Sequence, residues 1–217
     1  MIAELMELYN KGGNWMHLIT VTSLLGIAII LERFVVLTAA ANVRKDEILN
    51  HINSYILQGK LEKAIGVASQ VRNPLTNIIR SGLMAVANNG GPDEVQTAMD
   101  AVALREVPRL EKRVGLLATL SNIATLLGLL GTVAGLIGAF GAVANVAPAE
   151  KATMLANAIA TAMNTTAFGL IVAIPLLGCF GFLNAMVQGI VDDIHEASVA
   201  TLNFVLANRE KLRAQRG

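Results

Sequence analysis

The sequence predicts an all-α membrane protein with three transmembrane helices, whose long helices extend into a cytoplasmic helical domain. Of the 217 residues, 54% are hydrophobic and 15% are charged, whereas a soluble domain carries about 25% charged residues. Two long stretches, 114–149 and 152–191, contain no Asp, Glu, Lys or Arg. Each is longer than the roughly 20 apolar residues that span a bilayer, so both are predicted to cross a membrane.

The N-terminal segment, 1–14, precedes the first apolar stretch and carries Glu4, Glu7 and one lysine. A secretory signal has a positively charged start, so this segment is predicted to be retained, on the periplasmic side. The apolar stretch 15–37 follows and is predicted as the first transmembrane helix. Trp15 suits an interfacial anchor at its start.

The region 38–113 is polar and is predicted as a small cytoplasmic helical domain. Apolar residues recur in it at helical spacing, as in Ile48, Ile52 and Ile56. Breaks between its helices are predicted where glycine or proline occurs, at Gly59, Asn73–Pro74 and Gly90–Pro92. The segment after Pro92 is predicted to run towards the next membrane helix, with Pro108 as a kink or as its start.

The two uncharged stretches are predicted to form the second and third transmembrane helices, 114–146 and 152–187. A short periplasmic loop, 147–151, is predicted between them because a proline and two charged residues interrupt the apolar pattern. Residues 188–217 keep helical spacing and end with four basic residues, which predicts a C-terminal cytoplasmic helix.

The distribution of basic residues predicts the orientation. Most of them lie in 38–113 and in the C-terminal tail, while the segment 1–14 and the loop 147–151 hold one lysine each. The positive-inside rule then places the N-terminus in the periplasm and the C-terminus in the cytoplasm.

No enzyme signature is present in the sequence, and we expect no cofactor. It has no glycine-rich phosphate loop ending in a lysine, and its three histidines and one cysteine do not have the spacing of a metal site. The net charge of +1 argues against a broad basic surface for nucleic acid.

Four glycines are spaced three or four residues apart in the second predicted span: Gly128, Gly131, Gly135 and Gly138. At about 100° per residue they fall within roughly 80° of one another on a helix. Membrane helices use such stripes of small residues to bring neighbouring backbones close, so these glycines are predicted to pack helices.

Hydroxyl side chains accompany the glycine stripe, at Thr125 and Thr132 in the second span and at Thr161, Thr165 and Thr166 in the third. Neither span contains an ionisable residue, although ion pathways normally need one. Two interpretations follow. The hydroxyls only pack helices in a structural scaffold, or they line a cavity whose charge comes from another polypeptide. A small-solute transporter is a third, but no inverted repeat or broken-helix pair supports it.

Four stretches carry a resemblance to a known family: LERF (Leu31–Phe34), REVPRLEKRVGLLATLSNIA (Arg105–Ala124), GLLGTVAGLIGAF (Gly128–Phe140) and AIATAMNTTAFGLIVAIP (Ala158–Pro175). They resemble the MotA/TolQ/ExbB ion-channel subunits, most closely the TolQ/ExbB branch. The resemblance covers nearly the whole chain, and its two sharpest motifs, Gly128–Phe140 and Ala158–Pro175, lie in order on the second and third spans.

The resemblance implies a motor stator subunit of the bacterial inner membrane. In this family a pentamer surrounds a dimer of a single-span partner of the ExbD/TolR type, whose membrane aspartate carries the ion. Inward flow of H⁺ or Na⁺ drives mechanical work on envelope partners, such as energised outer-membrane transport through a TonB/TolA-like transducer. Membrane lipids are the other expected partners, and nucleic acid is not one.

The resemblance also assigns the channel threonines to Thr132 and Thr166, and three positions depart from its pattern. Thr161 stands where a glutamate is usual, and Thr125 where a proline commonly precedes the glycine motif. Thr165 forms a Thr-Thr pair that resembles the sodium-using stators. Neutral oxygens at Thr132, Thr165 and Thr166 would suit a transient Na⁺, while H⁺ is the commoner ion in the TolQ/ExbB branch.

Overall fold

The computed structural model describes residues 15–41, 45–71, 73–143 and 147–208, and all regular secondary structure in these residues is α-helical. This confirms the all-α prediction. The seven helices of the described residues are α1 (Trp15–Ala41), α2 (Lys45–Leu57), α3 (Leu61–Gln70), α4 (Pro74–Ala87), α5 (Pro92–Glu111), α6 (Val114–Val143) and α7 (Pro148–Ala207). The predicted N-terminal segment, 1–14, and the last nine residues of the predicted C-terminal helix lie outside the described residues.

Three helices, α1, α6 and α7, carry stretches that are long and apolar enough to cross a membrane. Only 17%, 22% and 22% of the most apolar windows of these stretches are buried within the chain. Most of their apolar side chains therefore face outward, which a water-soluble protein avoids and a bilayer favours.

The chain divides into two compact units. The first, here called the membrane unit, comprises Met1–Arg33 and Arg113–Leu183. The second, here called the helical unit, comprises Phe34–Lys112 and Asn184–Gly217. Helices α1 and α7 contribute residues to both.

The membrane unit has a seam of buried positions along α6. Six of the buried residues of α6 are three and four positions apart: Val114, Leu117, Ser121, Ala124, Gly128 and Gly131. This spacing keeps one face of the helix in contact with its neighbours. The residues in the middle of the seam are small, so this part of α6 can approach other backbones closely.

The helical unit packs short helices around an apolar core. The predicted breaks agree with its helix boundaries, since Gly59 follows α2 with a φ of 74° and Pro74 and Pro92 begin α4 and α5. Gly82 lets α4 approach α5, because a Cβ at this position would lie 2.7 Å from Cγ of Met99.

Asn73 ties the start of α4 to the end of α1. Its side-chain oxygen accepts a hydrogen bond from the backbone N–H of Leu75 at 2.9 Å, while its amide donates to the carbonyl of Ala40 at 2.7 Å. Thr76 completes a capping box with Asn73. The side chain is 4% exposed, so both hydrogen bonds are shielded from water.

The third apolar helix differs from the predicted boundaries. The predicted loop 147–151 is mostly the first turn of α7, where the amides of Glu150 and Lys151 bond the carbonyl of Ala147 at 3.0 and 3.2 Å. Proline at the first helical position favours this start because its φ is already helical. The predicted span 152–187 and most of the predicted helix 188–217 are then one continuous helix of 60 residues, about 90 Å long.

Pro108 neither starts the second membrane helix nor ends α5. It lies inside α5, which runs to Glu111, and α6 begins after a two-residue turn. Arg113 in this turn has a φ of 66°, a left-handed conformation that side chains disfavour. The turn, and not the proline, separates α5 from α6.

An ion-pair group in the helical unit joins α2 to α7. The ammonium of Lys45 donates hydrogen bonds to Asp193 Oδ1 and Glu196 Oε2, both at 2.7 Å. These two bonds raise the pKa of Lys45 above its ordinary value. The raised pKa means that Lys45 contributes to stability at neutral pH, and this contribution is lost as the pH rises through the raised pKa.

We predict that Asn73→Ala lowers the free energy of unfolding by about 1–2 kcal/mol, because α4 loses its N-cap and the carbonyl of Ala40 loses its donor. Thermal unfolding of the detergent-solubilised chain measures the change. Asn50→Ala, at an exposed position of α2, is the matched control and should leave the midpoint unchanged. Equal unfolding midpoints for Asn73→Ala and Asn50→Ala would contradict a stabilising role for the hydrogen bonds of Asn73.

Candidate functional site

The backbones of α6 and α7 meet directly at two glycines of the membrane unit. A Cβ added to Gly128 would lie 3.1 Å from Cα of Thr166 and 3.2 Å from the carbonyl oxygen of Thr165. A Cβ added to Gly169 would lie 2.8 Å from the carbonyl oxygen of Ala124. Glycine is needed at both positions because the neighbouring atoms are backbone and cannot rotate away.

The other three glycines of the predicted stripe have different surroundings. A Cβ on Gly131 would overlap the methyl group of Thr165, and one on Gly135 would lie 3.1 Å from Cβ of Ala162. Gly138 has no atom of the described residues within 4 Å of such a Cβ. Within the described chain, the stripe therefore faces α7 at Gly128, Gly131 and Gly135 and is open at Gly138.

Two hydroxyls join α6 and α7 by hydrogen bonds between the helices. Ser121 Oγ donates to the carbonyl of Ala173 at 2.8 Å, and Thr166 Oγ1 donates to the carbonyl of Gly128 at 3.0 Å. Each such bond contributes about 0.6–1.7 kcal/mol in a membrane protein. The second is available only because Gly128 brings its carbonyl within reach of the other helix.

The five predicted pathway threonines occupy three kinds of environment. Thr165 is 2% exposed and lies against Gly131 in the helix contact. Thr132 and Thr166 are half-buried, and Thr125 and Thr161 are exposed. The structure thus brings Thr165 and Thr166 to the α6–α7 contact and leaves Thr125 and Thr161 on the outside of the chain.

The hydroxyls of Thr125 and Thr132 donate to carbonyls of their own helix. Thr132 Oγ1 donates to Leu129 at 2.7 Å, and Thr125 Oγ1 donates to Ser121 at 3.1 Å. A hydroxyl has one hydrogen and two lone pairs. When the hydrogen is committed to a carbonyl, the oxygen that remains is an acceptor for an outside donor or a cation.

Three charged side chains of the membrane unit meet at the α5–α6 turn. The guanidinium of Arg113 donates to both oxygens of Glu32, at 2.6 Å to Oε2, and Arg33 donates to Oε1 at 2.8 Å. This pairing gives a structural role to the motif Leu31–Phe34. It holds the end of the first apolar stretch against the beginning of α6.

Sequence reasoning missed two participants in this site: Ser121 and the Glu32–Arg113 pair. Ser121 could have been found from its helical spacing to Gly128, since it lies seven residues before that glycine. The pair joins residues 81 positions apart, for which local periodicity gives no signal. In the described part of the chain, no group of three or more His, Cys, Asp or Glu side chains could hold a metal ion.

We predict that Gly128→Ala lowers the free energy of unfolding by about 1–3 kcal/mol, because the added methyl forces α6 and α7 apart. The measurement is thermal unfolding of the detergent-solubilised chain. Gly138→Ala is the matched control, and it should be neutral or stabilising by up to about 1 kcal/mol, since alanine favours helix and nothing obstructs the methyl. A stabilising Gly128→Ala would contradict the close contact.

Comparison with known proteins gives two agreeing results. The family model described as the MotA/TolQ/ExbB proton channel family matches residues 70–196. A biopolymer transport protein ExbB homolog of Methanothermobacter thermautotrophicus is 29% identical over 190 residues, which are 87% of this chain and 66% of that protein. The matched region thus spans just under two thirds of the relative's length. Because the family model matches more than half of the chain, including α6 and the apolar part of α7, the chain belongs to the MotA/TolQ/ExbB proton channel family.

Proposed function

We propose that this chain is an ion-conducting subunit that couples the flow of H⁺ or Na⁺ across a membrane to mechanical work. The observation that supports this proposal is the hydrogen bonding of its threonine hydroxyls. Thr125, Thr132 and Thr166 each donate their hydrogen to a backbone carbonyl, in two helices whose apolar stretches have no ionisable residue. The subunit therefore offers fixed oxygen acceptors and no charge.

Fixed acceptors suit a pathway for either ion. An oxygen with free lone pairs can accept a hydrogen bond from a protonated carboxyl group or from a water molecule that carries a proton. The same oxygen can replace part of the hydration shell of a hard cation such as Na⁺. The proposal accordingly includes both ions.

The charge for this pathway comes from another polypeptide. Ion pathways in membranes use ionisable side chains, and the apolar stretches of α6 and α7 contain none. An ExbD/TolR-like single-span protein with one membrane aspartate has the required chemistry. A ring of identical subunits, as in the family's pentamers, would place several copies of Thr132 and Thr166 around such a partner.

The burial of Thr165 indicates that the five threonines have different roles. Thr165 is 2% exposed and packs on Gly131, so we place it behind the pathway, where it holds the position of Thr166. Thr161 and Thr125 are exposed on the same two helices and extend the row of hydroxyls. A transient Na⁺ would then be bound by Thr132 and Thr166, with Thr165 as support.

The proposed setting is the bacterial inner membrane, with the N-terminus in the periplasm and the C-terminus in the cytoplasm. The positive-inside rule supports this orientation, because the basic residues lie mainly in 38–113 and in the tail. Work would reach the envelope through a TonB/TolA-like transducer, as in energised outer-membrane transport.

A non-conducting scaffold is the competing function. Its support is that Ser121 and Thr166 both join α6 to α7 by hydrogen bonds, which packing alone would explain. The two functions differ in one respect, because a scaffold needs Ser121 and Thr166 equally and a channel needs the hydroxyl of Thr166 more.

We predict that Thr166→Val abolishes partner-dependent ion flux and that Thr166→Ser restores it, because serine keeps the oxygen acceptor. Ser121→Ala is the matched control, since it also removes one hydrogen bond between α6 and α7 but keeps the backbone carbonyl that accepts the hydroxyl of Thr125. Flux into proteoliposomes measures activity, and thermal unfolding measures the shared loss of about 0.6–1.7 kcal/mol. Equal flux in Thr166→Val and Ser121→Ala would favour the scaffold.

We predict that proteoliposomes conduct only when this chain is reconstituted with a single-span partner that carries the membrane aspartate. Separate H⁺ and Na⁺ gradients identify the ion. A partner with Asp→Asn should assemble without conducting, because the missing charge is the partner's carboxylate. Flux from this chain alone, or none from the intact complex, would count against the proposed mechanism.

A further inference from the structure

The helical unit contains a basic groove between α4 and α5 that the ion pathway does not use. The groove encloses about 310 Å³ and is lined by three arginines, Arg80, Arg105 and Arg109, and by one carboxylate, Glu106. Arg80 lies on α4 and the other two arginines on α5. Each of the two helices forms one wall of the groove, and both walls therefore carry positive charge.

Only part of this positive charge is compensated. Glu106 lies 3.6 Å from the guanidinium of Arg109 and accepts a hydrogen bond from Asn77 at 3.0 Å. Arg80 and Arg105 are exposed and form no ion pair or hydrogen bond with any other side chain of the described residues. As far as the described residues go, two guanidinium groups of the groove are therefore available to bind an anion.

A second groove adjoins the first and shares Glu106 and Arg109 with it. It encloses about 240 Å³, and its other lining is mostly apolar, with Val36, Ala39 and Leu110. The hydrogen bond from Asn73 to the carbonyl of Ala40 fixes one side of it. A ligand that fills both grooves would need a negative group and an apolar group side by side.

The apolar groove lies at the level where the first apolar stretch ends. Val36 belongs to the predicted span 15–37, and Ala39 lies two residues beyond its end. Arg109 is five residues before Val114, the start of α6, which limits their separation to about 18 Å. The headgroup region of a bilayer lies at this boundary, and anionic lipids attract arginines there.

From these contacts we infer that the two grooves bind one anionic phospholipid. Its phosphate lies between Arg80 and Arg105, because guanidinium groups bind phosphate oxygens in pairs. Its acyl chain lies along Val36, Ala39 and Leu110. An acidic peptide would satisfy the arginines but would leave the apolar groove empty, so the lipid fits both halves. This site is independent of the proposed ion pathway.

Native mass spectrometry of the full detergent-solubilised chain tests the site, with phosphatidylglycerol and phosphatidylcholine as probes. Arg80→Gln with Arg105→Gln should weaken phosphatidylglycerol binding by about tenfold or more, as expected for the loss of charge-assisted hydrogen bonds, and should leave phosphatidylcholine binding unchanged. Lys60→Gln with Lys63→Gln is the matched control, because it removes two exposed cations of the same unit outside the groove.

A second variant, Ala39→Phe, fills the apolar groove without changing the charge, and it should also weaken phosphatidylglycerol binding. If inorganic phosphate competes with phosphatidylglycerol and Ala39→Phe has no effect on binding, the assignment of a phospholipid is wrong and the site binds a free anion. Equal losses in the arginine and lysine variants would overturn the site, because they would indicate general electrostatic attraction. Unchanged thermal unfolding of each variant shows that the comparison is made on folded protein.

Discussion

The direct backbone contact between α6 and α7 at Gly128 and Gly169 is the constraint on which the membrane unit depends. A side chain at either position would meet backbone atoms 2.8–3.1 Å away, so the two helices can lie this close only with glycine. The contact brings the Gly128 carbonyl to the hydroxyl of Thr166. Glycine costs about 1 kcal/mol in a helix interior, and the hydrogen bonds and packing between the helices offset this cost.

This close contact also determines the chemistry that the pair of helices can offer. Hydroxyl hydrogens are used within the chain, on the carbonyls of Ser121, Gly128 and Leu129, and oxygen lone pairs are left for an outside group. Arg113 and Glu32 of the membrane unit pair at the α5–α6 turn, outside the apolar part of α6. Neutral acceptors without a nearby fixed charge fit the proposed function, in which the titrating carboxylate belongs to another protein.

The helical unit is stabilised differently from the membrane unit, because its interactions are of the kinds found in proteins in water. A capped helix start at Asn73, a glycine contact between Gly82 and Met99, and the ion pairs of Lys45 hold its helices. Its surface keeps two arginines, Arg80 and Arg105, without partners among the described residues. An uncompensated pair of guanidinium groups beside an apolar groove is a feature of recognition more than of stability.

The sequence by itself determined the helical class, the apolar stretches, the helix boundaries at Gly59, Pro74 and Pro92, and the glycine stripe. These properties are local, since they depend on periodicity, solvation and backbone preference within a few residues. The start of α7 at Pro148, inside the predicted loop 147–151, was missed, because charged residues look like a loop when a proline at the first helical position is not recognised. Only the tertiary structure decided that Thr165 is buried while Thr161 is exposed, and that Glu32 pairs with Arg113. A helix period assigns residues to a face, but the crossing of two helices and contacts between distant residues decide what each face meets.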